Sequence, residues 1–288
     1  QGGRFICIVM KKFKLLIIAG IIIVTWWLYK AAQPWPFTLI FLDVGQGDAE
    51  LIKTPDHRII LIDSGPDASV IRKLGQELPW TTRTIDLVVV SHPHADHVTG
   101  LIEVLKRYKV NNILTSSVVY NTPEYATWLA LINKKHIPVI VARAGQTIGI
   151  GSGATLTVIL PLMSYQDQTI DNVHTSMVVN SLRYGKTTAL FMGDAEVPLE
   201  QSLVELGVDL KSDILKVGHH GSQTSSSLEF IKAVAPQYAV ISVGGKNRYG
   251  HPHPTVLTRL QSLVPQVLRT DTEGDIRFVS NEQVWARQ

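Results

Sequence analysis

The sequence predicts an α/β (or α+β) fold, and two observations carry that expectation. Beyond residue 36, short apolar runs rich in β-formers alternate with amphipathic stretches, the pattern left by strands and helices taking turns along a chain. The composition, 45% hydrophobic and 18% charged over 288 residues, is that of a folded protein with ample material for a core, and it excludes disorder.

The first element is an apolar run. Lys11, Lys12 and Lys14 precede Leu15–Tyr29, and Lys30 closes it. About 17 uncharged residues lie in or beside the run, the lower limit for a bilayer-spanning helix. Trp26, Trp27 and Tyr29 fall where interfacial aromatics belong. Three lysines before the run against one after it put the amino terminus in the cytoplasm and the rest outside. Residues 1–32 are therefore read as a tail and one transmembrane signal-anchor helix, with a domain at 33–288 held extracytoplasmically at the cell membrane. Two other readings stay open. One is a cleaved signal peptide releasing a secreted domain, for which Lys30-Ala-Ala32 is a poor cleavage pattern; the other is the last helix of a larger membrane protein.

Gln33-Pro-Trp-Pro36 reads as a short stiff linker. Elements then follow in order: strands at 37–43, 49–53 and 58–63, a helix at 67–77, a strand at 86–91 and a helix at 98–108. Next come a strand at 112–115, a helix at 123–135, and strands at 137–141, 155–160, 176–183 and 187–193. The chain closes with helix 197–206, strand 213–217, helix 226–234, strand 238–243, helix 254–263 and strand 275–279. A faint internal echo runs through this order. Arg58-Ile-Ile-Leu-Ile-Asp63 resembles Thr188-Ala-Leu-Phe-Met-Gly-Asp194, and in the strands Asp86–His92 and Asp213–His219 a histidine falls six residues after an aspartate. Two related halves presenting polar residues at equivalent strand ends would suit a site between them.

Charge narrows the function. Of 27 Lys and Arg, five (Arg4, Lys11, Lys12, Lys14 and Lys30) lie before residue 31, leaving 22 against 24 Asp and Glu. The net +3 is thus not a property of the domain, and nucleic-acid binding needs a local patch. The single cysteine, Cys7, excludes a disulfide framework and Cys-rich zinc sites.

Ser91-His-Pro-His-Ala-Asp-His97 is the sharpest signal. Three histidines and an aspartate within six residues, after an apolar strand, are costly to crowd together unless a cation ties them. Imidazole and carboxylate at this density suit zinc first, then manganese or iron. His92 and His94 can face one ion from a turn, while Asp96 and His97 open the next helix and can face a second. More ligands stand at strand ends: Asp194, a candidate bridge, after a glycine that permits a tight turn; His174 just before a strand; and the pair His219 and His220. Asp96 and Asp194 also count as catalytic candidates.

The H-x-H-x-D-H pattern after a strand is similar to that of the metallo-β-lactamase superfamily. Asp43-Val-Gly-Gln-Gly-Asp48, Leu61-Ile-Asp-Ser-Gly65, Leu190–Glu196, Leu215–Ser222 and Tyr249-Gly-His-Pro-His-Pro254 resemble, in matching order over about residues 37–280, the hydrolase domain of ComEC-type competence proteins. The resemblance implies a four-layer αββα sandwich with two metal ions at one edge. It implies His92, His94 and His174 on one ion, Asp96, His97 and one of the paired histidines on the other, Asp194 bridging, and Asp63 orienting a ligand. Two departures stand out. Many such sequences lack histidine at the positions of His94 and His174, so its presence at both argues for a fuller binuclear site. The channel portion with many membrane spans is absent from this chain.

Because successive strand residues point to opposite sides, one of the paired histidines is expected to ligate. His220 is favoured, with His219 as a catalytic or substrate contact, although the internal echo pairs His219 with His92. Lys216 is a candidate for offsetting phosphate charge, or else a solvated strand lysine. His251 and His253, in a Pro-punctuated loop, are candidates for binding phosphate and for donating a proton to the leaving group. Ser222 and the following hydroxyls cap a helix or hold a phosphate.

The leading expectation is an extracytoplasmic, zinc-dependent phosphodiesterase acting on DNA, in uptake or scavenging, alongside a separate DNA-transport channel protein. The alternatives are a hydrolase of small phosphodiesters or other esters, and a non-catalytic, metal-stabilised partner module of a channel. Loss of ligands would mark the last, and the ligand set is intact.

Overall fold

Alternation with period two sorts the strands onto their faces. In β1 (Phe37–Phe41), Leu39 and Phe41 point one way and Ile40 the other, yet all three are buried, so the strand is covered on both sides. The same holds for β2 (Glu50–Lys53), β3 (Ile59–Ile62), β5 (Leu87–Val89) and β7 (Ile113–Thr115). The protein is represented by a computed structural model that describes residues 17–26, 29 and 33–288. Residues 17–26 are helical, and among the described residues no helix is long and apolar enough to cross a membrane. The rest of the expected Leu15–Tyr29 span, with its flanking lysines, lies outside the described residues.

Pro36–Gln288 forms one compact unit. Its strands make two large sheets. The first runs β17 (Trp285–Arg287), β16 (Ile276–Ser280), β1, β2, β3, β5, β7 and β8 (Val139–Val141). The second runs β15 (Gln266–Arg269), β14 (Tyr238–Ile241), β13 (Ile214–Lys216), β12 (Thr187–Phe191), β11 (Val179–Tyr184), β10 (Ala154–Leu160) and β9 (Thr147–Gly151). A two-stranded pairing, β4 (Thr84–Ile85) with β6 (Lys109–Val110), completes the set. In each large sheet four strands are parallel: β3, β5, β7 and β8 in one, β12 to β15 in the other. Crossovers between them require helices: α1 (Ser69–Glu77), α2 (Ala95–Arg107) and α3 (Pro123–Lys135) on the first half, α4 (Val197–Glu205), α5 (Leu228–Val234) and α6 (Pro254–Leu263) on the second.

One core lies between the sheets, where Leu39, Phe41, Ile60 and Val89 of the first meet Leu156, Ala189, Phe191 and Val240 of the second. The outward residues Leu190 and Leu215 pack instead with Leu203 of α4 and Phe230 of α5. This is the αββα layering, and all the strands and helices expected within residues 37–279 are found. What the sequence left out are β4, β6, β9, β15, β17 and the one-turn α7 (Thr270–Glu273). These are two-residue pairings, a strand interrupted by Gly149 and Gly151, and short pieces whose pattern is too brief to read. Most boundaries fall within two residues of those expected, and two move by three. Helix α2 starts at Ala95, three residues early, and β11 starts at Val179 because Val173–Ser176 forms a 3-10 turn.

Phe41 and Phe191 face each other across the sandwich with ring centroids 6.3 Å apart. Phe41→Ala is expected to cost about 3–5 kcal/mol, read from the urea midpoint at unchanged m-value. A cost under about 1 kcal/mol would show that this core does not hold the sheets together.

Candidate metal centre

Parallel strands end on the same edge, so the loops after β3, β5, β12, β13 and β14 converge there. After β3 comes Asp63, after β5 come Ser91 and His92, and after β12 come Gly193 and Asp194. The glycine is required: its φ is +51°, and a Cβ would stand 2.8 Å from Met177 Sδ and from Ser91 Cβ. His94 is the residue before α2 and caps nothing with its ring, which turns into the site; Asp96 and His97 occupy the first turn. His174 is carried by the 3-10 turn, whose start is fixed by Asn172 Oδ1 accepting the His174 N–H at 3.0 Å.

Two groups of donor atoms result, sharing Asp194: His92, His94, His174 and Asp194, and Asp96, His97, Asp194 and His220. In the second group His97 Nε2 and His220 Nε2 lie 3.4 and 3.5 Å from Asp194 Oδ1, and His220 Nε2 lies 3.4 Å from Asp96 Oδ2. Bonds of about 2.0–2.1 Å to a tetrahedral zinc would set ligands about 3.3–3.4 Å apart. Three of these atoms, His97 Nε2, His220 Nε2 and Asp194 Oδ1, are buried and have no hydrogen-bond partner among the described residues. Orphaned donors converging on one point fit a cation. Their other ring nitrogens are tied back. His97 Nδ1 is 2.8 Å from Asp63 Oδ2, and His220 Nδ1 donates to Ser242 O at 2.9 Å and lies 3.2 Å from Asp48 Oδ1, so both present Nε2. In the first group His92 Nε2 and His174 Nε2 lie 2.9 and 3.4 Å from His94 Nδ1.

The electrostatics agree. Burial opposes charge on His97 and His220, yet the carboxylates around them, Asp194 foremost, raise both; His220 reaches about 10. Burial, then His97, pushes His92 well below the ordinary value, and burial with His174 takes His94 to about 4. Asp194 is held well below the carboxylate range, against burial, by His220 and His97. The second group attracts positive charge, and His92 and His94 of the first are neutral imidazoles.

Several residues sit otherwise than the sequence suggested. Lys216 is neither solvated nor at the cavity: it is 1% exposed, ion-paired with Asp48, and donates to Gly193 O at 3.3 Å. His253 is outside the residues that line the cavity and is the N-cap of α6, its Nδ1 accepting Thr255 N–H at 3.4 Å. The expected cap is found within the same run of hydroxyls, Ser227 accepting Phe230 N–H at the start of α5, while the Ser222 hydroxyl pairs with Thr224. His219 and His220 are not on a strand. They lie in a 3-10 turn with φ of +48° and +53°, so both rings reach the cavity. His219 Nδ1 is 3.3 Å from Glu196 Oε1, and its Nε2 is 3.7 Å from Asp194. His251 does line the cavity, about 330 Å³ in volume, with its ring 5.8 Å from that of His219; burial, His220 and His219 lower it to about 4.

Sequence reasoning missed Asp48, Glu196 and Gln46. Asp48 and Glu196 sat inside motifs already noted, one directly after Gly47 and the other two residues after Asp194, but their role depends on contacts with the distant His220 and His219. Burial penalises the Asp48 carboxylate, and Lys216 with His220 still holds it below the ordinary value. Lys216→Met leaves that anion buried without its cation. The expected cost is about 3–5 kcal/mol in urea denaturation. Unchanged stability with a raised KM would instead make Lys216 a substrate contact.

A family model described as the metallo-beta-lactamase superfamily matches residues 42–245. ComE operon protein 3 of Bacillus subtilis (strain 168) is 29% identical over 254 residues, which cover 82% of this chain and 32% of that protein. Competence protein ComA of Neisseria gonorrhoeae is 31% identical over 238 residues, covering 82% of this chain and 31% of that protein. The chain therefore spans about a third of the length of these curated relatives. Among solved structures, CmlA, a diiron β-hydroxylase from Streptomyces venezuelae, aligns with a TM-score of 0.55 at 16% identity over 88% of this chain and 55% of that one, a likeness of fold alone. The matched span holds Asp194 and both donor groups around it, and the chain belongs to the metallo-β-lactamase superfamily.

Proposed function

We propose that the chain is a binuclear metal-dependent phosphodiesterase, zinc its foremost metal and DNA its foremost substrate. The observation that carries this reading is the pair of donor groups sharing Asp194, with three of their buried atoms left without partners. His92, His94 and His174 would hold one ion, Asp96, His97 and His220 the other, and Asp194 would bridge them. Ions bound there supply Lewis acidity toward a phosphoryl oxygen and a water nucleophile active at neutral pH.

The protein's own groups do the rest. Asp63 and Ser242 O hold the rings of His97 and His220 in the tautomer that presents Nε2. Asp96, the most exposed carboxylate of the two groups, accepts a hydrogen bond from the attacking water and aims it at phosphorus. His219, oriented by Glu196, and His251, neutral at pH 7, offer N–H groups to the phosphoryl and leaving oxygens.

The competence proteins among the relatives support DNA as substrate. With them goes a place outside the cytoplasm, the Leu15–Tyr29 run as anchor, beside a transport channel. A second reading, hydrolysis of a small diester, is favoured by one observation. Among the described residues no Lys or Arg lines the 330 Å³ cavity. Lys246 and Arg248 stand just outside it, lining an adjoining cavity that shares Gln46, Ala95, Asp96 and Tyr249, and a larger basic cleft of Arg83, Lys106, Arg107, Lys109 and Lys135 lies at the far end of α2, roughly 20 Å away by helix rise.

Metal-dependent cleavage of plasmid, single-stranded DNA and bis(p-nitrophenyl) phosphate, with zinc or manganese restored after chelation, tests the reading. Asp194→Ala and His94→Ala are each expected to lower turnover at least about a hundredfold. Cleavage of the small diester alone would select the second reading, and no cleavage of any phosphodiester would overturn both.

Metal uptake should also expel protons. His220 is raised from 6.5 to about 10 without metal, so at pH 7 it carries a proton that a metal must displace. Apparent zinc affinity is expected to rise about tenfold per pH unit per displaced proton below that value. In the metal-free protein the same proton stabilises the fold below about pH 6.5, and that contribution fades as pH rises toward 10. Calorimetry in two buffers of different ionisation enthalpy reads the release, and equal heats would count against His220 as a ligand.

A further inference from the structure

A second cavity, about 400 Å³, opens beside the metal centre. Tyr120 stands between the two. Its ring centroid is 5.6 Å from that of His94 and 6.1 Å from that of Tyr125, which is in turn 5.2 Å from Trp128. A run of rings thus leads from the donor cluster into the cavity. Its floor is the buried face of α3, Tyr125, Trp128 and Ile132, and its rim carries Asn133, Gln166 and Asp167. Trp128 is fully buried, yet its indole N–H has no hydrogen-bond partner among the described residues. A buried donor of that kind is costly unless something brings it an acceptor.

The lining selects the occupant. Among the described residues no Lys or Arg borders the cavity, whereas Asp167 does. Burial, and after it the Asp167 charge, raises the Tyr125 hydroxyl to about 12. Such a place rejects a phosphate and suits a neutral, planar group with both acceptors and N–H donors. We propose that this cavity is a nucleobase subsite, taking the base next to the phosphodiester held at Asp194. Tyr120 stacks on that base, Trp128 donates to its carbonyl or ring nitrogen, and Asp167 accepts from its amino or imino group. The inference rests on the phosphodiesterase reading and names what flanks the scissile bond.

The test is binding by the full chain under chelation, so that nothing is cleaved. A fluorescent single-stranded tetranucleotide is compared with the same backbone made abasic. The base-bearing strand is expected to bind about tenfold tighter, and Tyr120→Ala and Trp128→Phe are each expected to bring the ratio toward one. Equal binding, or binding of neither strand, overturns the subsite even if the metal-loaded protein cleaves phosphodiesters. Base-dependent binding that both variants abolish upholds it, and would do so even where metal-dependent cleavage fails and the phosphodiesterase reading falls.

Discussion

Anions buried at the joint edge of two sheets have to be compensated, and the site is arranged around that requirement. Asp48, Asp63 and Asp194 are each at most 2% exposed, with Glu50 beside them. Lys216 answers Asp48, and Ser91 and His97 answer Asp63. Burial and Asp48 push Glu50 well above the carboxylate range, favouring its neutral form. Asp194 is left with imidazoles whose facing nitrogens have no proton acceptor of their own. Removing any one of these answers would leave a charge in a low-dielectric interior.

The repetition in the fold makes this crowding geometrically cheap. In each half a strand followed by an aspartate runs parallel to one preceded by an aspartate and followed, three residues on, by a histidine: β3 beside β5, and β12 beside β13. Asp86 and Asp213 do the same job at the opposite ends, accepting Ile59 N–H and Thr188 N–H respectively. The inter-sheet core holds the two copies face to face. Polar residues at equivalent strand ends then meet without any long loop having to carry them, which favours rigid placement of groups that must be held within fractions of an ångström.

Division of labour follows from exposure. His92, His97 and His220 are sealed and fixed by second partners, while His219, His251 and Tyr120 face the open side. The sealed groups suit holding charge. The open ones suit meeting a substrate, and the low basicity of His219 and His251 leaves those two neutral hydrogen-bonding groups rather than competing cations.

The order of strands and helices was legible because it is written in local periodicities of two and 3.6 residues. So was the tetrad His92–His97, since a strand, a turn and the first turn of a helix bring those four side chains together within six residues of chain. Asp194 and the alternation that buries Leu190 and Phe191 on opposite faces were legible for the same reason. What only the tertiary structure decided depends on contacts across long sequence distances or on the sign of a backbone angle. Asp48 reaches His220 and Lys216 from more than 160 residues away, so no local pattern marks it. Whether one or both of His219 and His220 face the site turned on a left-handed pair of residues where a strand was expected. His253 became a helix cap and His251 a cavity wall through the packing of one loop, a choice made by neighbours that the sequence does not name.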